Sequence, residues 1–380
     1  MKERILVITG TRAEFGLLRT TIDALKKLGA DVRILVTGMH TLKRHGNTEK
    51  EVKRVYNVAA RVPVRESDDM AQALTREIEG IRAYCLKNRP DCIVVLGDRD
   101  EPLAAGLVAA HLNIPLAHIH GGDVSGTTTV DNIIRATLTK LAHLHFPTTK
   151  LGAKRIAAMG EEAWRIKAVG APGIDEIRRM RFMSREKLAR ALDLDSKRPW
   201  LLIVHHPTPF DTTLMQQQIK PLLEAVTKDF PEAEKIVIYP NSDTGSNLFI
   251  QEIGRVRNNP RVQVSKTLPR ELFLNTMHHA ACILGNSSAG IIESASMKTP
   301  SVTIGSRQKG RERANNVVEV GYDRKSIKKA IRKATTSTFR TLAARAMSPY
   351  GNGTAGKTIA RILLGKLKDK RLLHKRDPYV

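Results

Sequence analysis

Two doubly wound α/β domains are expected from this sequence, and three observations predict them. Short apolar runs recur along the chain, of the kind that forms parallel strands buried on both faces, and helical patterns alternate with them. Most of these runs end in a polar loop rich in glycine or ionisable residues, and the ligands of open α/β sheets sit at that carboxyl edge. The series breaks at Gly170-Ala171-Pro172-Gly173 and then restarts. A chain of 380 residues is long enough to bury two full cores.

In the first half, Ile5 to Ile8 is a strand that empties into Thr9-Gly10-Thr11-Arg12-Ala13-Glu14-Phe15-Gly16, the start of a helix ending near Leu28-Gly29. The spacing G-x-G-x-x-G is absent, so no dinucleotide fingerprint is present. The turn offers backbone N–H groups with Arg12 beside them, a setting that suits a phosphate. Val32 to Val36 is the second strand, and Thr37 to Asn47, with Gly38, His40 and His45, is a loop. A helix over Ala71 to Lys87 precedes the strand Asp91 to Leu96, which delivers Gly97, Asp98 and Arg99. A helix from Glu101 to Leu112 leads to the strand Ile114 to Ile119, which delivers His118, His120, Gly121, Gly122 and Asp123. A glycine-containing loop then reaches Asp131 at the next helix. A helix (Leu151 to Met159) and a short strand (Ile166 to Val169) complete the array. A strand-ending Asp is often only a helix cap, and a strand-ending His only a packed core residue. Two neighbouring strands that both end in ionisable groups and small residues describe a site.

The second half follows a helix over Met183 to Leu192. Trp200 to Val204 empties into His205-His206-Pro207-Thr208. Lys235 to Tyr239 leads to Pro240-Asn241-Ser242-Asp243-Thr244-Gly245-Ser246. Ala281 to Leu284 leads to Gly285-Asn286-Ser287-Ser288-Ala289-Gly290 and a helix carrying Glu293. Ser301 to Ile304 leads to a loop with Arg307 and Arg311. Ser287 and Ser288, with the glycines around them at a helix N-terminus, offer donors and a positive dipole end to a diphosphate. Glu293 lies one helical turn in, within reach of ribose hydroxyls, and Arg307 and Arg311 are suited to neutralising phosphate charge. Two Rossmann-like doubly wound domains, facing one another with the active-site cleft between them, form the architecture called GT-B. The expected domains are 1–170, completed by a C-terminal helix within 355–380, and 171–354.

Composition narrows the function classes. The net charge is +25, and residues 306–380 alone carry 20 Lys and Arg against 5 Asp and Glu. The basic residues are mostly interleaved with apolar ones at helical spacing, as in Lys325 to Lys333, which describes a solvated basic helix face. Aromatic residues are 4% of the chain, too few for stacking platforms on single-stranded nucleic acid. No apolar run approaches membrane-spanning length, and Met1-Lys2-Glu3-Arg4 enters a strand directly, so neither a membrane span nor a signal peptide is expected. Cys85, Cys92 and Cys282 are scattered, which points to a reducing, cytoplasmic compartment and against disulfides or a zinc site. Gly351 to Thr358 matches G-x-x-x-x-G-K-[ST] in full. A true P-loop follows a buried strand, and here a helix end and Pro349 precede, so the motif is read as a turn that starts the last helix, Ala355 to Lys366.

Gly97-Asp98-Arg99, His118-Ile119-His120-Gly121-Gly122-Asp123 and Asp131 before Ile134-Arg135 resemble the hydrolysing UDP-N-acetylglucosamine 2-epimerases of sialic-acid synthesis. Thr11 to Gly16 and the Pro-Tyr-Gly-x-Gly segment before the last helix are also similar to that family. The resemblance implies that Asp98, Asp123, Asp131 and His206 move protons at C2 and activate water. It implies that Arg12, Ser287, Ser288, Arg307 and Arg311 hold the diphosphate, with Glu293 on the ribose. His118 and His120 would position the acids, and Asn241 and Asp243 would bind substrate; His205 is as readily packed as functional. The implied reaction eliminates UDP, hydrates a glycal-like alkene and releases N-acetylmannosamine and UDP, with no redox cofactor and no metal. A UDP-sugar substrate and a homodimer or homotetramer are implied as well. The chain departs from the family pattern at Ser125-Gly126-Thr127, where hydrolysing members carry a Glu, and at His120, near which non-hydrolysing relatives have a carboxylate; Asp123 would have to substitute. Other readings stay open: a non-hydrolysing epimerase, a hydrolysing epimerase of a diacetamido or GDP-linked sugar, a GT-B glycosyltransferase, or a basic nucleic-acid-binding protein.

Overall fold

The computed structural model describes residues 2–124, 126, 130–209, 211–240 and 244–376. The chain divides into two compact units. The first comprises Met1–Asp123, Val130–Arg178 and Tyr350–Val380, and the second Val124–Thr129 and Arg179–Pro349.

Each unit is built on a six-stranded parallel sheet. In the first, β1 (Arg4–Thr9), β2 (Asp31–Val36), β3 (Val58–Arg61), β4 (Cys92–Leu96), β5 (Leu116–Ile119) and β6 (Leu144–Phe146) lie in the order β3-β2-β1-β4-β5-β6. In the second, β7 (Trp200–Val204), β8 (Glu234–Ile238), β9 (Val262–Ser265), β10 (Cys282–Gly285), β11 (Ser301–Ile304) and β12 (Val317–Val320) lie in the order β12-β11-β10-β7-β8-β9. Counted within each unit the two orders are the same, and both are those of a Rossmann-type sheet. The central strands β4 and β7 are buried at every residue, which is why they read as unbroken apolar runs. Chain direction across the sheet reverses between β1 and β4 in one unit and between β7 and β10 in the other. In each unit, taken by itself, the loops that leave these two strands therefore frame the crevice where such a sheet binds ligands.

Several expectations need correction. The strand expected over Ile166–Val169 is only an isolated bridge, His145 to Ile166. Lys167 and Val169 donate to the carbonyls of His145 and Pro147, but Pro147 has no N–H to extend the ladder. The unit boundary falls after Arg178 rather than at Gly170, because helix Pro172–Arg179 is tied into the first unit. Its Asp175 accepts from the N–H groups of Ala355 (2.9 Å) and Gly356 (2.7 Å) at the start of helix Ala355–Lys366. That carboxylate fills the anion position of the P-loop-like motif, a physical reason to refuse it.

The basic C-terminal region divides in two. Helix Arg324–Thr335 buries Ile327, Ala330, Ile331 and Ala334 and keeps its charges on the other face, as expected. Residues 371–375 are instead docked on the first unit and not merely solvated. Arg165, 2% exposed, donates to the carbonyls of Leu372 and His374 (both 2.7 Å) and of Arg371 (3.2 Å). Lys375 donates to the carbonyls of Lys140 and Ala142 and pairs with buried Glu161 at 2.7 Å. Glu161 also accepts from His145 and Lys140, and these partners hold its carboxyl down at about 2 against the effect of burial. No helix among the described residues is long and apolar enough to cross a membrane.

Candidate active site

In the first unit Arg135 joins the loops after β4 and β5. Asp98, at the carboxyl end of β4, is ion-paired with Arg135, whose side chain is 5% exposed. Arg135 also donates to the Asp123 carbonyl (3.0 Å) and to Asn132 Oδ1 (2.8 Å). Asp123 accepts from the Thr148 hydroxyl at 2.9 Å, and its other oxygen lies 3.5 Å from His120 Nδ1. His118 Nε2–H donates to the Gly97 carbonyl at 2.7 Å, which fixes the turn carrying Asp98. Burial lowers His118 to about 4, so it acts there as a neutral donor. His120 sits at φ 68°, a left-handed conformation that costs a non-glycine residue strain and is concentrated at functional sites. Asp131 is half-buried in the first turn of helix Val130–Leu141. Burial, then Glu101, then Asp131 raise the pKa of Asp100, with Arg99 opposing.

The β1 turn differs from the expected open phosphate cradle. Arg12 is ion-paired with Glu51. The Gly10 N–H donates to Glu14 at 2.8 Å, and Thr11 caps helix Arg12–Lys27. Glu101 fills the space against two turns: a Cβ added at Gly10 or Gly38 would lie 2.3 or 2.1 Å from its carboxyl. Burial and then the Glu101 charge raise Glu14 to about 8 and Glu77 to about 9, with Asp100 adding to the second. Both are thus protonated in the fold at pH 7, whereas an ordinary glutamate is ionised. The native state then holds more protons than the unfolded chain, and stability must fall as pH rises towards 8–9. Histidines buried neutral act only below their ordinary pKa near 6.5, and the buried thiols Cys85, Cys92 and Cys282, raised by burial, act only above about pH 8, so the window from 6.5 to 8 isolates the glutamates. We expect urea midpoints to decline across that window, and Glu77→Gln to flatten the decline. A midpoint independent of pH there would contradict the assignment.

In the second unit the serine loop, the β7 loop and the β11 loop are held together by Asn286. Ser287 and Ser288 are half-buried and face no long helix: a short 3₁₀ turn (Ser288–Gly290) is followed by a helix of six residues, Ile292–Met297. The expected dipole is correspondingly weaker, which leaves hydroxyl and backbone groups as the loop's main donors. Gly285 has φ 124°, and a Cβ there would lie 2.1 Å from the Val204 carbonyl, so only glycine lets β10 approach β7 this closely. His206 is half-buried; burial, then Arg307, then His205 hold it well below its ordinary value, leaving a neutral imidazole. His205 is packed, stacked on Phe249 at 5.6 Å and edge-on to Tyr322. Glu293 pairs with Arg270 at 3.3 Å. Arg307 reaches towards the Asn286 carbonyl, and Arg311 donates to the Val124 carbonyl at 3.0 Å. Gly126 N–H donates to the Arg307 carbonyl at 2.9 Å. Asn241 and Asp243 lie outside the described residues.

Arg135, Asn286, Glu14 and Glu101 were assigned no role from sequence. Arg135 carried a usable signal: it lies between Ile134 and Leu138 on the buried stripe of its helix, where a charge needs a partner.

These folds and loops define an α/β enzyme of GT-B-like architecture with two Rossmann-like units. A family profile described as UDP-N-acetylglucosamine 2-epimerase matches residues 23–364. A Legionella pneumophila protein, UDP-N,N'-diacetylbacillosamine 2-epimerase (hydrolyzing), is 34% identical over 385 residues, covering 100% of both chains. A Neisseria meningitidis UDP-N-acetylglucosamine 2-epimerase is 31% identical over 338 residues, covering 87% of each. The crystal structure of UDP-GlcNAc 2-epimerase from Neisseria meningitidis, bound to UDP-GlcNAc, superposes with a TM-score of 0.80 at 18% identity, covering 95% of this chain and 100% of that one. The chain belongs to the UDP-N-acetylglucosamine 2-epimerase family.

Proposed function

We propose that this protein is a hydrolysing 2-epimerase of a UDP-linked 2-acetamido sugar. The observation that carries the reading is Arg135, which pairs with the Asp98 carboxylate and donates to the Asp123 carbonyl, joining the loops after β4 and β5. The serine loop at the other sheet's switch point complements it. The C2 proton of such a sugar is not acidic, so its removal must accompany departure of the diphosphate from C1. Ser287, Ser288, Arg12, Arg307 and Arg311 would stabilise the leaving charge, with Glu293 on the ribose. Asp98, Asp123, Asp131 and neutral His206 would supply the base and acid, positioned by His118 and His120. The C2–H and C1–O bonds break, UDP leaves with the electron pair, and a 2-acetamidoglycal forms. Water then adds its oxygen to C1 while a proton returns to C2 from the opposite face.

Run with UDP-N-acetylglucosamine in heavy water, the reaction should place deuterium at C2 of N-acetylmannosamine and release UDP in equal amount. In oxygen-18 water the UDP should stay unlabelled. Protium retained at C2, label in the phosphate, or UDP-N-acetylmannosamine without free UDP would each overturn the proposal. A second reading for the sugar, a 2,4-diacetamido hexose, is favoured by the full-length similarity to the Legionella pneumophila protein. Parallel assays with both UDP-sugars decide between them by kcat/KM.

A further inference from the structure

Asn286 uses all of its hydrogen-bonding groups inside the second unit, and it is 0% exposed. Its Oδ1 accepts from the His206 N–H at 2.7 Å, and its Nδ2 donates to the His206 carbonyl at 2.7 Å. The second hydrogen on Nδ2 faces the Thr208 hydroxyl at 3.4 Å. The backbone N–H of Asn286 donates to the Val204 carbonyl, and its carbonyl accepts from Gln308 Nε2 at 2.8 Å. Only one amide orientation satisfies both backbone groups of His206, since the oxygen must meet the N–H and the nitrogen the carbonyl. One buried side chain thus pairs with the backbone of the imidazole-bearing turn as an adjacent strand would. The same residue begins the serine loop and supports the loop that carries Arg307.

We infer that Asn286 is the positioning residue of His206, holding its imidazole in register with the serine loop and Arg307. The inference rests on the proposed role of His206 in proton transfer. A buried side-chain amide suits this task because it supplies a donor and an acceptor without charge. Asp would keep the acceptor but place a second oxygen against the His206 carbonyl, and Ala would supply neither. An Asp would also add a negative charge to a site where Arg307 and His205 now disfavour the imidazolium.

The test uses the full chain with Asn286→Ala, Asn286→Asp and Gln308→Ala. Calorimetric UDP affinity, kcat and KM are measured for each, with kcat followed against pH. Loss of positioning should lower kcat in Asn286→Ala by roughly tenfold to a hundredfold, the scale of a catalytic group displaced by about an ångström. UDP affinity should stay within about threefold of wild type in Asn286→Ala, since the backbone N–H and carbonyl of residue 286, which tie the serine loop to Val204 and Gln308, are kept. Asn286→Asp should in addition raise the lower pKa of its kcat profile, and Gln308→Ala should give a smaller loss of the same kind. A kcat within twofold of wild type in Asn286→Ala, or parallel losses of kcat and UDP affinity, would overturn the inference. The imidazole Cε1 resonance of His206, assigned by its absence in His206→Gln, should titrate higher in Asn286→Asp. An unmoved resonance would also overturn the inference. Absence of turnover in the wild-type protein would count against the proposed function, while this resonance still tests the positioning.

Discussion

Replacing Asp98 by Asn lowers kcat at least about a hundredfold and leaves UDP affinity within about threefold of wild type, the loss expected on removing one general acid–base group. Asn keeps the shape of Asp98 and can still accept from Arg135, so the turn after β4 stays in place; what it cannot do is take a proton. Asp131→Asn should behave alike, because its carboxylate stands in the first turn of the helix that carries Arg135 four residues on. UDP affinity is the discriminating reading. The serine loop and Arg307 belong to the second unit, and neither variant alters a residue there. Single-turnover assays and calorimetry on the same preparations separate the two quantities. A UDP affinity that falls in step with kcat would make these acids supports of the fold rather than participants in the chemistry.

The second large effect is on stability. Arg165→Ala removes a buried guanidinium from three carbonyls of residues 371–374, from the His143 carbonyl and from Glu162. Those groups would be left without their donor, and breaking a buried charged contact of this kind costs about 3 kcal/mol or more. For a unit of this size that is a fall in unfolding midpoint of roughly 6–12 °C. Limited proteolysis should cut the variant within 366–376 well before the wild-type chain is cut. A midpoint within about 2 °C of wild type would mean that the C-terminal segment contributes nothing to the first unit, against a scale of about 2–4 °C per kcal/mol.

The fold was legible where strands are buried on both faces. Trp200–Val204 and Ser301–Ile304 coincide with the runs read from sequence, since a parallel strand covered by helices tolerates little polarity. The strands Val58–Arg61, Val262–Ser265 and Val317–Val320 escaped notice because they are largely half-buried sheet edges, where polar and apolar residues mix, and Leu144–Phe146, though buried, is too short a run to read. The acids and histidines at strand ends were legible because the period of the fold places them at one edge. Their partners were not. Asn286 meets His206 from 80 residues away, and Glu101 fills a space made by turns after β1 and β2; such contacts follow from sheet order rather than local spacing. The turn from Gly10 to Arg12 was legible as the start of a helix, and its ties to Glu14 and Glu51 were not.

The discontinuity of the first unit bears on how a ribosome delivers it. Ile359, Ala360, Leu363 and Leu372 lie in the same apolar cluster as Ile5, Val7, Leu18 and Ile22. Strands β1 to β6 therefore leave the exit tunnel with one helix-wide stretch of core still exposed, and it stays so while the whole second unit is made. At about 5–20 residues per second that interval lasts roughly ten seconds or more. The second unit, continuous apart from residues 124–129, is free to fold meanwhile, whereas the nascent first unit depends on shielding from chaperones or on slow collapse. Premature termination anywhere before residue 355 would yield not a smaller enzyme but a sticky half-formed domain.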